Sequence, residues 1–307
     1  PPNQIYSHMI DLEILFKVYP EIVIGGNYGR ISSWNGSNII GRRTFSDFNM
    51  QFFEVVHGKN NYIGIGNQAV ARSLNKRNWS YLSLPVAHDT GYGYFRGVTF
   101  GEDKFVVVGD YNIVLVTSDN GINWELRRVG KENYLMDVTY AMGYFWAVEW
   151  GGKIYKSNDG LNWSYTGRSN VAKPLEIKFV NNRLFVVGGG YSIDSSTDGE
   201  TWINHFVTNT DYGWNSIEFN EDTGWYILVG GAYTSLFDKD FNYLKCTLVC
   251  DNKYVNVMDI NRYNNEFILV YNHNGYSRPY IFRSPDGDTW SYIDHGGYEV
   301  HSIADEK

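Results

Sequence analysis

The sequence predicts an all-β fold, a seven-bladed β-propeller of four-stranded antiparallel blades over residues 20–307, and three observations predict it. A short cassette recurs seven times: Ser, any residue, Asp or Asn, Gly, any residue, Asn or Thr, then an aromatic. Its closing positions, Ile39, Trp79, Trp124, Trp163, Trp202, Tyr243 and Trp290, are spaced by 39 to 47 residues. A separate strand-like segment repeats with the same period, and its last copy lies at the C-terminus.

Each unit divides in the same way. An apolar run closed by glycine comes first, as in Ile63–Gly66, Phe105–Gly109, Leu184–Gly188 and Tyr226–Gly230. Such β-branched and aromatic runs bounded by turn residues read as buried strands. A shorter strand leads into the cassette, as in Val114–Val116 and Ile154–Tyr155. Within the cassette the acidic or amide side chain accepts backbone N–H groups and Gly takes a positive φ, which makes a hairpin. The best copies are Ser157–Trp163, Ser196–Trp202 and Ser284–Trp290; Ser73–Trp79 carries Lys76 in the Gly slot. Asp119, Asp159, Asp198 and Asp286 are therefore expected to be structural turn acceptors. Trp79, Trp124, Trp163, Trp202 and Trp290 are expected to open the next strand and pack between blades.

The remaining strand centres on Phe53–Val56, Phe95–Val98, Leu135–Val138, Leu175–Ile177, Trp214–Ile217, Val255–Met258 and Val300–Ile303. The first unit, Ile22 to Ile39, has only three strands of its own, so the C-terminal strand is expected to complete that blade. Closure of this kind hides two edges that would otherwise accept another strand.

Composition narrows the function classes. The net charge is −8, and Lys and Arg are scattered, with Arg42-Arg43 and Arg127-Arg128 the adjacent arginine pairs. A general nucleic-acid binder needs a basic stripe, so nucleic acid is not expected as a partner. No apolar stretch approaches the ~20 residues that span a bilayer. Asp11 and Glu13 interrupt the apolar N-terminal segment, which therefore does not read as a secretory signal. Residues 1–19 precede the repeats and alternate in polarity, as an extra strand or a tether would. Cys246 and Cys250, four apart, are too distant along a strand for a disulfide with each other, and without further Cys or a nearby His they form no zinc site. No cofactor or metal is expected.

The cassette resembles the Asp-box of the bacterial neuraminidase (BNR) repeat, in the compact form similar to propellers of phage tail and bacterial surface proteins. Thr117–Trp124 matches the longer sialidase form of the box. The resemblance covers about residues 20–305 and implies the propeller fold. Its implication for activity is slight, because one fold hosts many functions. It implies an extracellular or virion-associated setting, with residues 1–19 contacting other virion or tail proteins. It also implies that the hairpins lie on the face opposite a sialidase's active centre. The family's early Phe/Tyr-Arg-Ile/Leu-Pro motif is missing, since Phe95-Arg96-Gly97-Val98 lacks both the aliphatic residue and the proline.

An enzyme of another glycoside hydrolase type needs two carboxylates across the substrate. Asp137 and Glu176 occupy equivalent places on neighbouring inner strands, with Glu54 and Asp259 one position off. Asp137 and Glu176 are the candidates if the chain is catalytic. The stronger expectation is a non-enzymatic binding module. The loops between second and third strands carry Tyr28, Tyr111, Trp150, Tyr191, Tyr233 and Tyr276, with Asn27, Gln68, Asp110 and His273 beside them. Turns do not require aromatics, and aromatic faces beside amides and carboxyls suit sugar rings. A surface glycan or cell-wall polysaccharide is therefore the expected ligand, with a protein-interaction scaffold as the other non-enzymatic alternative. An outer rim is expected from His88, Asp89, Tyr92, Tyr212 and Trp214 in the longest blade-to-blade loops.

Overall fold

The computed structural model describes residues 22–26, 30–34, 39–44, 52–67, 69–76, 78–82, 84, 93–130, 133–206, 213–249, 255–263, 265–273, 280–293 and 300–304. Tyr28, His88, Asp89, Tyr92, Tyr212, Tyr276, Cys250 and the segment 1–19 lie outside them, as do the side chains of residues 22–44 and of His273.

Backbone pairing among the described residues forms seven four-stranded sheets, every one antiparallel. In six of them the four strands are consecutive along the chain. In the remaining sheet Val300–Ala304 pairs with Ile22–Gly26, so the C-terminal strand lies beside the first one. The inner strands are Val300–Ala304, Phe52–Gly58, Phe95–Gly101, Leu135–Ala141, Ala172–Val180, Ser216–Asn220 and Val255–Tyr263. They run in one direction around a central channel.

A repeated irregularity sets what faces that channel. The pairing register slips between Phe52 and Glu54, Phe95 and Gly97, Leu135 and Asp137, Pro174 and Glu176, and Val257 and Asp259. A β-bulge inserts one residue and re-aims its neighbours. Here it brings Glu54, Gly97, Asp137, Glu176 and Asp259 into one row, opposite Ile65, Val108, Val148, Val187 and Val270. Ser216, opposite Val229, and Ser302, opposite Gly25, take the same place in the other two sheets. The sequence expectation that Glu54 and Asp259 stand one position off is thus corrected. Each carboxylate of the row stands four residues before the last residue of its inner strand, Gly58, Ala141, Val180 or Tyr263, so the hairpin aligns the row where the apolar centres do not.

The core is built between sheets rather than within them. One cluster joins Val106, Val108 and Val116 of one sheet to Leu135, Phe145 and Ala147 of the next, with Trp163 packed against it. Others repeat the pattern with Trp124, Trp202 and Trp290. These four indoles are half-buried, and Trp79 alone among the cassette tryptophans is buried, at 4 % exposure. Among the described residues, the wholly buried indoles are Trp146 and Trp214.

Candidate functional site: the channel and its loop-side mouth

Asp159 Oδ1 accepts the N–H groups of Leu161 and Asn162, each at 2.8 Å, and its other oxygen takes Asn162 Nδ2 at 2.8 Å. Ser157 Oγ donates to the same carboxylate and accepts the Gly160 N–H, while Trp163 Nε1 donates to the Gly160 carbonyl at 2.8 Å. Asp198 and Asp286 repeat the backbone contacts, and Asp119 does so with Thr117 in place of serine. Burial alone would raise the Asp159 carboxyl, but these donors outweigh it and hold it near 2; the Thr117 hydroxyl leads the same effect at Asp119.

The cassette glycines do two jobs. Gly160 and Gly199 have φ of +78° and +75°, and a Cβ on either would collide with Val106 or Trp146 of the preceding sheet. Each hairpin thus caps its neighbour. Lys76 holds the same left-handed conformation, at φ +64°, without being glycine.

The channel carries the unusual chemistry. Glu54 Oε2 accepts the Val98 N–H at 2.8 Å, across to the next sheet. Asp137 does the same with Ile177 at 2.8 Å, while its other oxygen takes the Val138 N–H at 2.7 Å. Gly97 makes room for this, since a Cβ there would lie 2.6 Å from Asp137 Oδ1. Ser216 Oγ stands 2.9 Å from Glu176 Oε1 and 3.2 Å from Asp259 Oδ1. One hydroxyl proton cannot serve both carboxylates, so the pair is satisfied only when one carboxyl is itself protonated.

Burial is the main force raising all four carboxyls. It takes Asp137 to about 7 against the opposing pull of two backbone N–H groups and Lys178. Glu176 rises to about 8, with Lys178 opposing and Asp259 and Asp137 adding repulsion. Glu54 and Asp259 are raised as well, Glu54 further by repulsion from Asp137. Lys178 remains an ammonium: burial would lower its pKa, but Glu218, Glu176 and Asp259 raise it. Its Nζ lies 3.5 Å from Glu218 and 3.9 Å from Glu176, and it donates to the Ile260 carbonyl at 2.9 Å. One ammonium so ties three sheets together.

The four carboxyls divide the channel into two chambers. The loop-side chamber, of about 370 Å³, is lined by Phe53, Tyr94, Arg96, Met136, Leu175 and Asn215 above the carboxyls. The chamber on the hairpin side, of about 460 Å³, contains Lys178, Glu218 and Arg262. At the loop-side rim, Arg96 Nε donates to Asp110 Oδ1 at 2.5 Å, and the guanidinium stands 5.6 Å and 5.4 Å from the rings of Tyr94 and Tyr134. Asp110 also accepts the Tyr94 N–H at 3.1 Å.

The expected aromatic ring divides. Trp150 and Tyr191 are exposed, at 39 % and 48 %, in loops of neighbouring sheets. Tyr111 is half-buried near Tyr134, with ring centroids 6.5 Å apart. Tyr233 instead packs on a core cluster with Ile227 and Phe267 among its members. Asp110, expected as a ligand partner, is buried and committed to Arg96. Trp214, expected at the rim, is a core residue with no exposure, packed with Phe185 and Phe237. Its backbone N–H donates to the Gly188 carbonyl at 2.7 Å. Sequence inspection missed Arg96, Tyr134, Lys178 and Ser216. Only Lys178 had a signal, since it lies two residues past Glu176 and so on the same strand face.

Among the described residues, no group of three or more His, Cys, Asp or Glu is arranged to hold a metal ion, and no helix is long and apolar enough to cross a membrane. Cys246 is a free thiol.

No protein family and no curated protein sequence matches the chain. Solved structures do. The structure titled "YCF48 bound to D1 peptide" is 19 % identical, with a TM-score of 0.61 over 79 % of this chain and 80 % of that one. YCF48 from Cyanidioschyzon merolae gives 18 % identity and a TM-score of 0.62 over 81 % and 86 %. The computationally designed Ika8 protein gives 10 % identity and 0.63 over 94 % and 88 %. At these identities the likeness shows the fold class, a β-propeller of four-stranded antiparallel blades.

Proposed function

We propose that this chain is a non-enzymatic binding propeller that takes a peptide segment of a protein partner over the loop-side mouth of its channel. The observation that carries this is the mouth itself: an open chamber with Phe53, Met136 and Leu175 on its walls and the exposed Tyr94 at its rim, while Trp150 and Tyr191 stand exposed in loops of neighbouring sheets. Aromatic side chains around a concave apolar surface are typical of recognition sites. The opposite face spends its repeated Asp and Ser side chains on its own turns. One compared propeller is titled as bound to a peptide, which supports this ligand class by analogy of fold.

A glycan is the second reading, favoured by the exposed faces of Trp150 and Tyr191. Tyr233 and Trp214, which belonged to the same expectation, are taken up by the core. Hydrolysis has less support. Asp137 has both oxygens engaged by backbone N–H groups, and Glu54 one, so these carboxyls act as clasps between sheets. Parallel screens on a peptide library and a glycan array, with a reducing-sugar assay on cell-wall polysaccharide, test the proposal. Peptide enrichment lost in Trp150→Ala and Tyr191→Ala is expected. Glycan binding lost in the same variants would replace the ligand class, and sugar release abolished by Asp137→Asn or Glu176→Gln would overturn the non-enzymatic reading.

A further inference from the structure

Resting on the binding role proposed above, we infer that the loop-side chamber receives the basic side chain, lysine or arginine, of the bound peptide. The chamber is a sleeve with an acidic floor. Phe53, Tyr94, Met136 and Leu175 stand along its walls, and Glu54, Asp137, Glu176 and Asp259 lie at its base. A methylene stem ending in a cation matches that order of surfaces, with the stem on the apolar wall and the charge against the carboxyls. At about 370 Å³ the chamber is near the lower end for ligand sites, which suits one side chain better than a length of folded chain.

The floor is also incompletely satisfied from within. Glu176 Oε2 is shut off from solvent and has no hydrogen-bond partner. Glu176 and Asp259 share the one proton of Ser216 Oγ. Lys178 Nζ is shared among the Ile260 carbonyl, Glu218 and, at 3.9 Å, Glu176 Oε1, and it leaves Glu176 Oε2 without a donor. Arg96 is neutralised by Asp110 and held at the rim, so it neither fills the floor nor bars a cation. An arriving ammonium or guanidinium supplies only donors, which is what these oxygens lack. A cation arriving there favours the ionised form of these carboxyls, which burial disfavours, and a neutral sugar hydroxyl does not. A metal ion is a poor alternative, since the described residues offer no ligand cluster for one.

The test presents the full chain with displayed random pentapeptides whose central residue is fixed in turn as Lys, Arg, Gln, Glu or Leu. Lys- and Arg-centred peptides should be enriched about tenfold or more over Gln-centred ones, with the advantage falling about tenfold in Glu176→Gln and in Glu54→Gln, as for lost charge pairs. Thermal melts of both variants separate lost binding from lost folding. Enrichment that ignores the central residue, or survives unchanged in Glu176→Gln, overturns the basic side chain and leaves the aromatic mouth as the binding site. No enrichment in any library overturns the peptide-binding role together with it.

Discussion

Replacing Glu176 by Gln should stabilise this protein, and increasingly so as the pH rises. The wild-type carboxyl has its pKa raised from 4.5 to about 8 by burial, with repulsion from Asp259 and Asp137 added and Lys178 opposing. Between those two values the folded chain holds a proton that the unfolded chain has released. Stability contributed by the protonated carboxyl is therefore complete below 4.5 and is lost as the pH climbs through about 8. Each pH unit in that window costs up to about 1.4 kcal/mol. Titration shared with Asp137 and Asp259 spreads the effect, so about 2–4 kcal/mol between pH 5 and 8.5 is the expected difference. Gln preserves the carbonyl that accepts from Ser216 and places its amide where Oε2 has no partner to lose. Urea unfolding of wild type and variant, at unit steps from pH 5 to 9, reads the difference directly, because titrations that do not interact with Glu176 cancel. A difference that stays flat with pH, or a variant less stable than wild type at pH 8.5, refutes the buried-carboxyl account.

The acid side should show the opposite sign. Asp119 and Asp159, held near 2 against a usual 3.8, contribute stability above that value which is lost as the pH falls toward 2, and Asp159→Ala should flatten part of that limb in acid titration melts. Asp159→Ala should also cost about 0.5–2 kcal/mol at neutral pH by removing a turn acceptor, measured by urea unfolding. Lys76→Gly should stabilise by about 1 kcal/mol, because a non-glycine residue there sits at φ +64°; a loss of stability would mean that the Lys76 contact with the Tyr62 ring outweighs the backbone strain. Gly199→Ala should destabilise far more than a cap deletion, since its Cβ would enter the Trp146 ring, and calorimetric melts give the comparison. Deleting residues 297–307 should lower the melting temperature by stripping the partner from Ile22–Gly26.

The sequence by itself determined the local structure. The period, the apolar strands and the Asp-Gly hairpins were legible because each is enforced within a few residues: Asp159 bonds the next two or three amides, and Gly160 supplies the positive φ the turn needs. Which side chains meet across sheets was decided only by the tertiary structure. Glu54, Asp137, Glu176 and Asp259 pair at the same register but lie on four separate sheets, so the row of channel carboxyls forms only when the sheets close around it. Trp214 reads as a loop aromatic until its backbone N–H finds the Gly188 carbonyl and its ring enters the core. Hydrogen bonds two to four residues apart can be read from spacing. The Glu54–Val98, Asp137–Ile177 and Lys178–Ile260 contacts join residues about forty to eighty apart and are set by packing, for which spacing carries no signal.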